Sequence, residues 1–197
     1  LAQQTSDLQP SFSLRGFGTV GLARSTNGQA EVTRDSLQPR GISDDWSGKI
    51  DSNIGVQANY MVSETVEAVI QAVSRYNYRD NFSPEVTESF VRYEPNAYLE
   101  LRGGRFGTDF FMRGDSRLVG YAQPTVRPNI DYYASHPMTF LDGVNIQLTV
   151  PFGDGLVRGE AYFGASQEKI PFPTGYFSLK GAQTLGGNLD YLEGNWQ

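Results

Sequence analysis

The chain contains no cysteine. Disulfide scaffolds, thiolate zinc clusters and thiol catalysis are therefore excluded. A single histidine, His136, leaves little room for a histidine-built metal centre. Charge is sparse: Asp, Glu, Lys and Arg make up 19% of the 197 residues, against roughly 25% in an ordinary soluble domain. The net charge is −6, so the basic footprint of a nucleic-acid-binding protein is absent. No apolar run reaches the ~18 residues that a transmembrane helix needs. A transmembrane β-strand is not excluded, because its signal is alternation over about ten residues. The pattern of a signal peptide is also missing. The opening Leu1-Ala2-Gln3-Gln4 is compatible with a mature N-terminus.

What the chain has is glycine and aromatic residues: 22 Gly, 12 Phe and 11 Tyr. Helical periodicity is scarce, and alternation with a period of two recurs almost throughout. Eight strands are expected: Phe12–Arg24, Lys49–Tyr60, Thr65–Tyr78, Glu85–Glu94, Tyr98–Phe106, one ending at Val150, Leu156–Ala165, and one beginning near Leu185. In the second strand Ile50, Ile54, Val56, Ala58 and Tyr60 share a face, with Asp51, Asn53, Gln57 and Asn59 opposite. In the third, Val66, Ala68, Ile70, Ala72, Tyr76 and Tyr78 oppose Glu67, Gln71 and Arg75.

The links between strands alternate in length. Met61 to Glu64, Pro95 to Ala97 and Pro151 to Gly155 are tight. Ser25 to Gly48, Arg79 to Pro84, Gly107 to Pro137 and Ser166 to Thr184 are longer and polar. Short turns on one rim and long loops on the other describe an antiparallel up-and-down meander, as in outer-membrane barrels. A soluble sandwich or barrel turns its apolar face inward; a membrane barrel turns it outward around a polar lumen. Alternation alone does not separate the two. The aromatic residues at strand ends favour the membrane form: Phe12, Tyr60 and Tyr93 at one rim, Tyr76 and Tyr78 at the other, as girdles around an apolar band.

Arg40-Gly41-Ile42-Ser43-Asp44-Asp45-Trp46-Ser47, leading into the second strand, resembles the first hairpin of a group of Gram-negative outer-membrane porins. Leu101-Arg102-Gly103-Gly104-Arg105-Phe106, followed by Gly120-Tyr121-Ala122 and Val126-Arg127-Pro128, is similar to the same family. The resemblance covers nearly the whole chain, and the spacing carries it more than any single motif. It implies a transmembrane β-barrel in the outer membrane of a Gram-negative bacterium. Small hydrophilic solutes and ions would diffuse passively through its water-filled channel, with outer-membrane lipid against the apolar faces. Family members are often trimers, so a homotrimer is an implied assembly. The third long loop of such porins folds into the barrel and narrows the pore; here that loop is 107–137. Porins of this kind have about 16 strands and end on a strand with a terminal aromatic. Eight strands close a barrel already filled by side chains, with no space for a 31-residue loop. Residues 1–197 are therefore expected to form one β-barrel domain that is the N-terminal portion of a larger porin.

By alternation, Arg15, Arg75, Arg92, Arg102 and Arg158 point to the same side as Glu67, Glu100 and Glu160. Arginines facing carboxylates across a lumen create a transverse field, and such rings set ion preference. The plain alternative is a solvated face of mixed sign. The long loop adds Arg113, Asp115, Arg117 and Arg127, which either join a constriction or tie the loop to wall carboxylates. No catalytic residue, cofactor or metal is expected, and no nucleic-acid partner.

Gly16-Phe17-Gly18-Thr19-Val20-Gly21 spells a dinucleotide fingerprint, yet no helical stripe follows it, as that motif requires. Ser135-His136 are adjacent and cannot form a nucleophile–base pair in the usual geometry. The sequon Asn81-Phe82-Ser83 is followed by Pro84, and the aspartates lack calcium-loop spacing. Three rivals to a general porin remain: a substrate-specific channel for sugars or anions, a soluble all-β binding module, and a membrane hydrolase.

Overall fold

The computed structural model describes residues 11–108, 118–122, 125, 129–133 and 137–193. Strands β1 (Ser11–Thr19), β2 (Asn53–Met61), β3 (Val66–Arg75), β4 (Glu85–Asn96), β5 (Leu99–Gly107), β6 (Phe140–Phe152) and β7 (Gly155–Ala165) follow one another along the chain. A short hairpin comes next, β8 (Lys169–Phe172) and β9 (Gly175–Ser178), and then β10 (Gln183–Leu192). β1 to β7 and β10 build one antiparallel eight-stranded sheet in sequence order, and β8 pairs only with β9. Helical structure among the described residues is limited to a 3-10 turn at Gly120–Ala122 and the single turn α1 at Ile130–Tyr133. The chain is thus all-β with an up-and-down meander, as the alternation predicts. Among the described residues β1 pairs only with β2 and β10 only with β7, so each ends the sheet.

The tight turns sit where the sequence places them. Asn96 Oδ1 accepts hydrogen bonds from the amides of Tyr98 and Leu99 at 2.9 and 3.1 Å, closing β4 onto β5. Gly153, at φ 59°, turns β6 into β7, a conformation that suits glycine.

The two faces of the sheet are inverted relative to a soluble protein. On β3, Glu67, Val69, Gln71, Val73 and Arg75 are all buried, while Ile70 between them is 50% exposed. On β2, Asn53 is buried and Ile54 beside it is 67% exposed. Leu14, Val91, Val144, Ile146, Leu185 and Leu189 continue the exposed apolar face across the other strands. Soluble domains leave polar side chains outside and bury the large aliphatic ones.

Near the long-loop rim the structure departs from simple alternation. β1 stops at Thr19 and β2 starts at Asn53 because the intervening loop folds on itself, bridging Ala23 to Ser47 and Val32 to Ile42. Ile50, expected on the apolar face with Ile54, instead packs with Ile42 and Tyr76 in a small buried cluster. β3 ends at Arg75, short of Tyr78, because Asn77 bridges to Asn81 around a turn with Asp80 at φ 58°. Asn77 Oδ1 accepts the Arg79 amide at 2.9 Å, an Asx-type turn. Tyr76 therefore leaves the apolar face and is buried. The β8–β9 hairpin lies where a plain link is expected; Phe172 pairs with Gly175 across Pro173-Thr174.

Aromatic rings lie over glycines near both ends of the sheet. Phe17 on β1 is paired with Gly55 on β2, and a Cβ on Gly55 would sit 2.3 Å from the Phe17 ring. Tyr162 on β7 is paired with Gly186 on β10, and a Cβ there would sit 2.3 Å from the Tyr162 hydroxyl.

Candidate functional site

Pairing in register brings polar side chains of alternate positions together on the non-apolar face. Gln57 stands opposite Gln71, Glu67 opposite Arg92, and Arg92 opposite Arg102. The result is a continuous hydrogen-bonded chain across β2 to β5. The Thr87 hydroxyl donates to Gln71 Oε1 at 2.8 Å. Gln71 Nε2 donates to Gln57 Oε1 at 2.9 Å. Gln57 Nε2 donates to Asn59 Oδ1 at 3.0 Å, and Asn59 Nδ2 donates to Glu67 Oε1 at 2.8 Å. Every donor points toward Glu67, whose ionised carboxylate only accepts.

The other Glu67 oxygen binds the Arg92 guanidinium. Arg92 also lies 3.5 Å from Glu94 and 3.9 Å from Glu100. Glu100 in turn binds Arg102, whose guanidinium lies 5.5 Å from the centre of the Phe90 ring. Four of the residues picked out by alternation, Glu67, Arg92, Glu100 and Arg102, thus form one ion network of alternating sign. Around Glu160 a second, smaller group forms, where Asn145 and Asn188 both donate to its carboxylate.

The remaining wall arginines stand apart. Arg75 is buried and donates to Asp35 of the first long loop at 3.0 Å, so it anchors that loop. Arg15 is exposed on β1. Arg158 is paired in register with Asp190 and Thr149, but its Nε lacks a hydrogen-bond partner. Arg113, Asp115, Arg117 and Arg127 lie outside the described residues, as do Ser135 and His136. The amides Gln57, Asn59, Gln71, Asn145 and Asn188 carry much of the network. The signal for them was in the sequence, since they share the parity of the charged residues.

At the long-loop rim, the Tyr76 hydroxyl donates to Asp80 Oδ1 at 2.5 Å. Arg40 and Lys49 approach the same carboxylate at 3.9 and 4.0 Å. Burial, with the Asp80 hydrogen bond, pushes the Tyr76 phenol up to about 12. The Tyr76 hydrogen bond, with Arg40 and Lys49, holds Asp80 below the usual carboxylate range against a smaller opposing effect of burial. A hydrogen bond to Tyr78 raises Lys169 above the usual lysine range.

The described parts of the 107–137 segment reach back to β1. Leu118 is buried, and Gly120 lies so close to Thr19 that a Cβ would sit 2.4 Å from the threonine hydroxyl. Gly16 and Gly18 of the apparent fingerprint lie inside β1 or at its end, with no helix after them. Among the described residues no cluster of three or more His, Cys, Asp or Glu side chains could hold a metal. Comparison with protein-family models finds no match, and comparison with curated proteins finds none either.

Proposed function

We propose that this chain is part of an outer-membrane β-barrel channel through which small hydrophilic solutes and ions diffuse passively. The inverted sheet carries the reading: a broad apolar face is exposed while the opposite face holds buried, hydrogen-bonded charge. Lipid would cover the first face, and the second would line a wet lumen. Among the described residues no helix is long and apolar enough to cross a membrane, so a crossing by these residues would use strands.

An unpaired strand edge is not tolerated in hydrocarbon. β1 and β10 would therefore meet each other or further strands. The contact of Gly120 with Thr19 spans from the end of β5 to β1, and supports a third long loop that lies across the lumen. In this reading the Glu67–Arg92–Glu100–Arg102 network and the loop set size and charge preference. The protein is not an enzyme and needs no cofactor, and three copies would assemble side by side in the outer membrane.

The test is planar-bilayer conductance of the protein extracted from its native membrane, under a salt gradient. Discrete steps are expected, and the sign of the reversal potential gives the ion preference. An absence of steps from correctly inserted protein would overturn the reading. Flux that saturates with one class of solute would identify a substrate-specific channel instead.

A further inference from the structure

A cleft of about 390 Å³ opens at the long-loop rim, between the end of β3, the start of β4 and the β8–β9 hairpin. It is separate from the Glu67–Arg92–Glu100–Arg102 network, none of whose residues line it. Its lining includes the cations Arg79 and Lys169 and the phenol Tyr78. The Arg79 guanidinium lies 5.1 Å from the Tyr78 ring centre, and its Nε donates to the Tyr78 hydroxyl at 2.9 Å. Lys169 Nζ lies 5.2 Å from the same ring centre and 4.6 Å from that of Tyr176. Two positive heads thus converge on one phenol, and the T-shaped Tyr78–Tyr176 pair, 5.5 Å between centres, holds the hairpin against the end of β3.

Three of the other charges of the cleft are already engaged. Arg75 is bound to Asp35, and Arg105 makes a two-pronged contact with Asp142 at 2.6 and 2.9 Å. Glu168 accepts from the Thr139 amide and hydroxyl. No carboxylate lies within ion-pair distance of Arg79 or Lys169 among the described residues. A neutral phenol is a weak partner for a cation, since its ring brings a quadrupole and its hydroxyl takes one hydrogen bond from each head without supplying a full charge. The two heads therefore keep donor capacity for an oxyanion, which guanidinium and ammonium groups bind through charge-assisted hydrogen bonds. Glu85, which lines the same cleft, opposes an anion by like-charge repulsion.

We propose that this cleft binds a phosphate-type oxyanion through Arg79 and Lys169, with Glu85 as the residue that limits its affinity. The anion is either a free solute phosphate or the phosphate of a lipid headgroup at the membrane border, since the chemistry of recognition is the same. The proposal rests on the side chains of the rim and does not require that the protein conduct.

The full-length protein, its lysines carrying ¹³C-methyl labels that keep their charge, is titrated in neutral detergent with inorganic phosphate. The Lys169 signal, assigned by its loss in Lys169→Gln, should shift saturably. Arg79→Gln should weaken binding about tenfold, as the loss of one charge-assisted hydrogen bond. Glu85→Gln should tighten it a few-fold. Opposite signs from these two variants cannot arise from damage to the fold. The same label is then read in neutral alkyl-glycoside micelles, which carry no phosphate, with and without phosphatidylglycerol and with no added inorganic phosphate. A shift there assigns the lipid phosphate as the source, and a shift only with inorganic phosphate assigns a free solute. The absence of any shift in both settings would overturn the proposal. So would tighter binding in Arg79→Gln or weaker binding in Glu85→Gln.

Discussion

The middle and the flanks of the same polar face handle arginine in opposite ways. On β3 to β5, Arg92 and Arg102 lie among Glu67, Glu94 and Glu100, each within 4.0 Å of a carboxylate. On β1 and β7, Arg15 and Arg158 have no carboxylate at that distance among the described residues, although Asp190 stands directly across from Arg158 in register. The same parity, and hence the same face, does not make the same electrostatic site. The middle is an internally paired network, held by amides that pass hydrogen bonds toward Glu67. The flanks present cations with capacity left over. In a channel, the middle would supply a shaped, polar wall and the flanks would supply attraction.

The largest effect should come from removing the acceptor at the end of the hydrogen-bonded chain. Glu67→Ala leaves the Asn59 amide without its acceptor and Arg92 with only the more distant Glu94 and Glu100, and is expected to cost about 2 kcal/mol, since a half-buried donor loses its partner. Thermal unfolding in detergent, followed by circular dichroism, reads this. The flank variant Arg158→Ala should leave the melting curve within about 0.5 kcal/mol of the parent.

Charge reversal in the middle comes next. Arg102→Glu would put a second carboxylate beside Glu100 and, if the proposed channel is right, should move the reversal potential toward cation preference. An unchanged potential would remove Arg102 from the permeation path.

A smaller effect sharpens the comparison directly. A double-mutant cycle on Glu67→Gln and Arg92→Gln should give a coupling of about 1 kcal/mol, while Arg158→Gln with Asp190→Asn should couple by less than about 0.3 kcal/mol. Equal couplings would erase the distinction between middle and flank.

The smallest effect belongs to the rim, where Tyr76 and Asp80 lock the turn after β3. The Asp80 carboxylate is held below the usual range. Its contribution is full above about pH 4 and is lost as the pH falls through its lowered value. The phenol of Tyr76 is raised to about 12. Its contribution is full below about pH 10 and is lost as the pH rises through 12. Tyrosinate absorbance should show one late-titrating phenol that disappears in Tyr76→Phe.

The strand plan was legible because β-strands with unlike faces write a period of two, and because short and long links alternated. Turn chemistry set the limits. Tyr76 and Tyr78 kept the strand period, but the Asn77–Asn81 turn ended β3 before them. The β8–β9 hairpin was hidden because Pro171 and Pro173 flank Phe172 and weaken a strand signal. Thr174-Gly175 after Pro173 was the available clue, and Gly175 takes φ 152° in the hairpin. For the candidate site, parity found the right face and named Glu67, Arg92, Glu100 and Arg102 together. It did not show which partner each arginine takes. That depends on register, including the slip between Gln71 and Ala72 on β3 opposite β4, and no alternation pattern encodes such a slip.

The rings resting on glycines near the two ends of the sheet bear on how the chain reaches this arrangement. A strand displaced by one residue would turn its whole set of side chains over. A strand displaced by two keeps its faces, and neither polarity nor burial would reveal the error. Phe17 and Tyr162 detect that second kind of mistake. Moved by two positions along β2, Phe17 would face Asn53 or Gln57 in place of Gly55. Moved likewise along β10, Tyr162 would face Thr184 or Asn188 in place of Gly186. Each of those residues carries a Cβ where the ring must lie. The outermost hairpins thus proofread their own alignment before anything pairs with their free edges, which is when a misaligned edge is most apt to recruit a wrong neighbour.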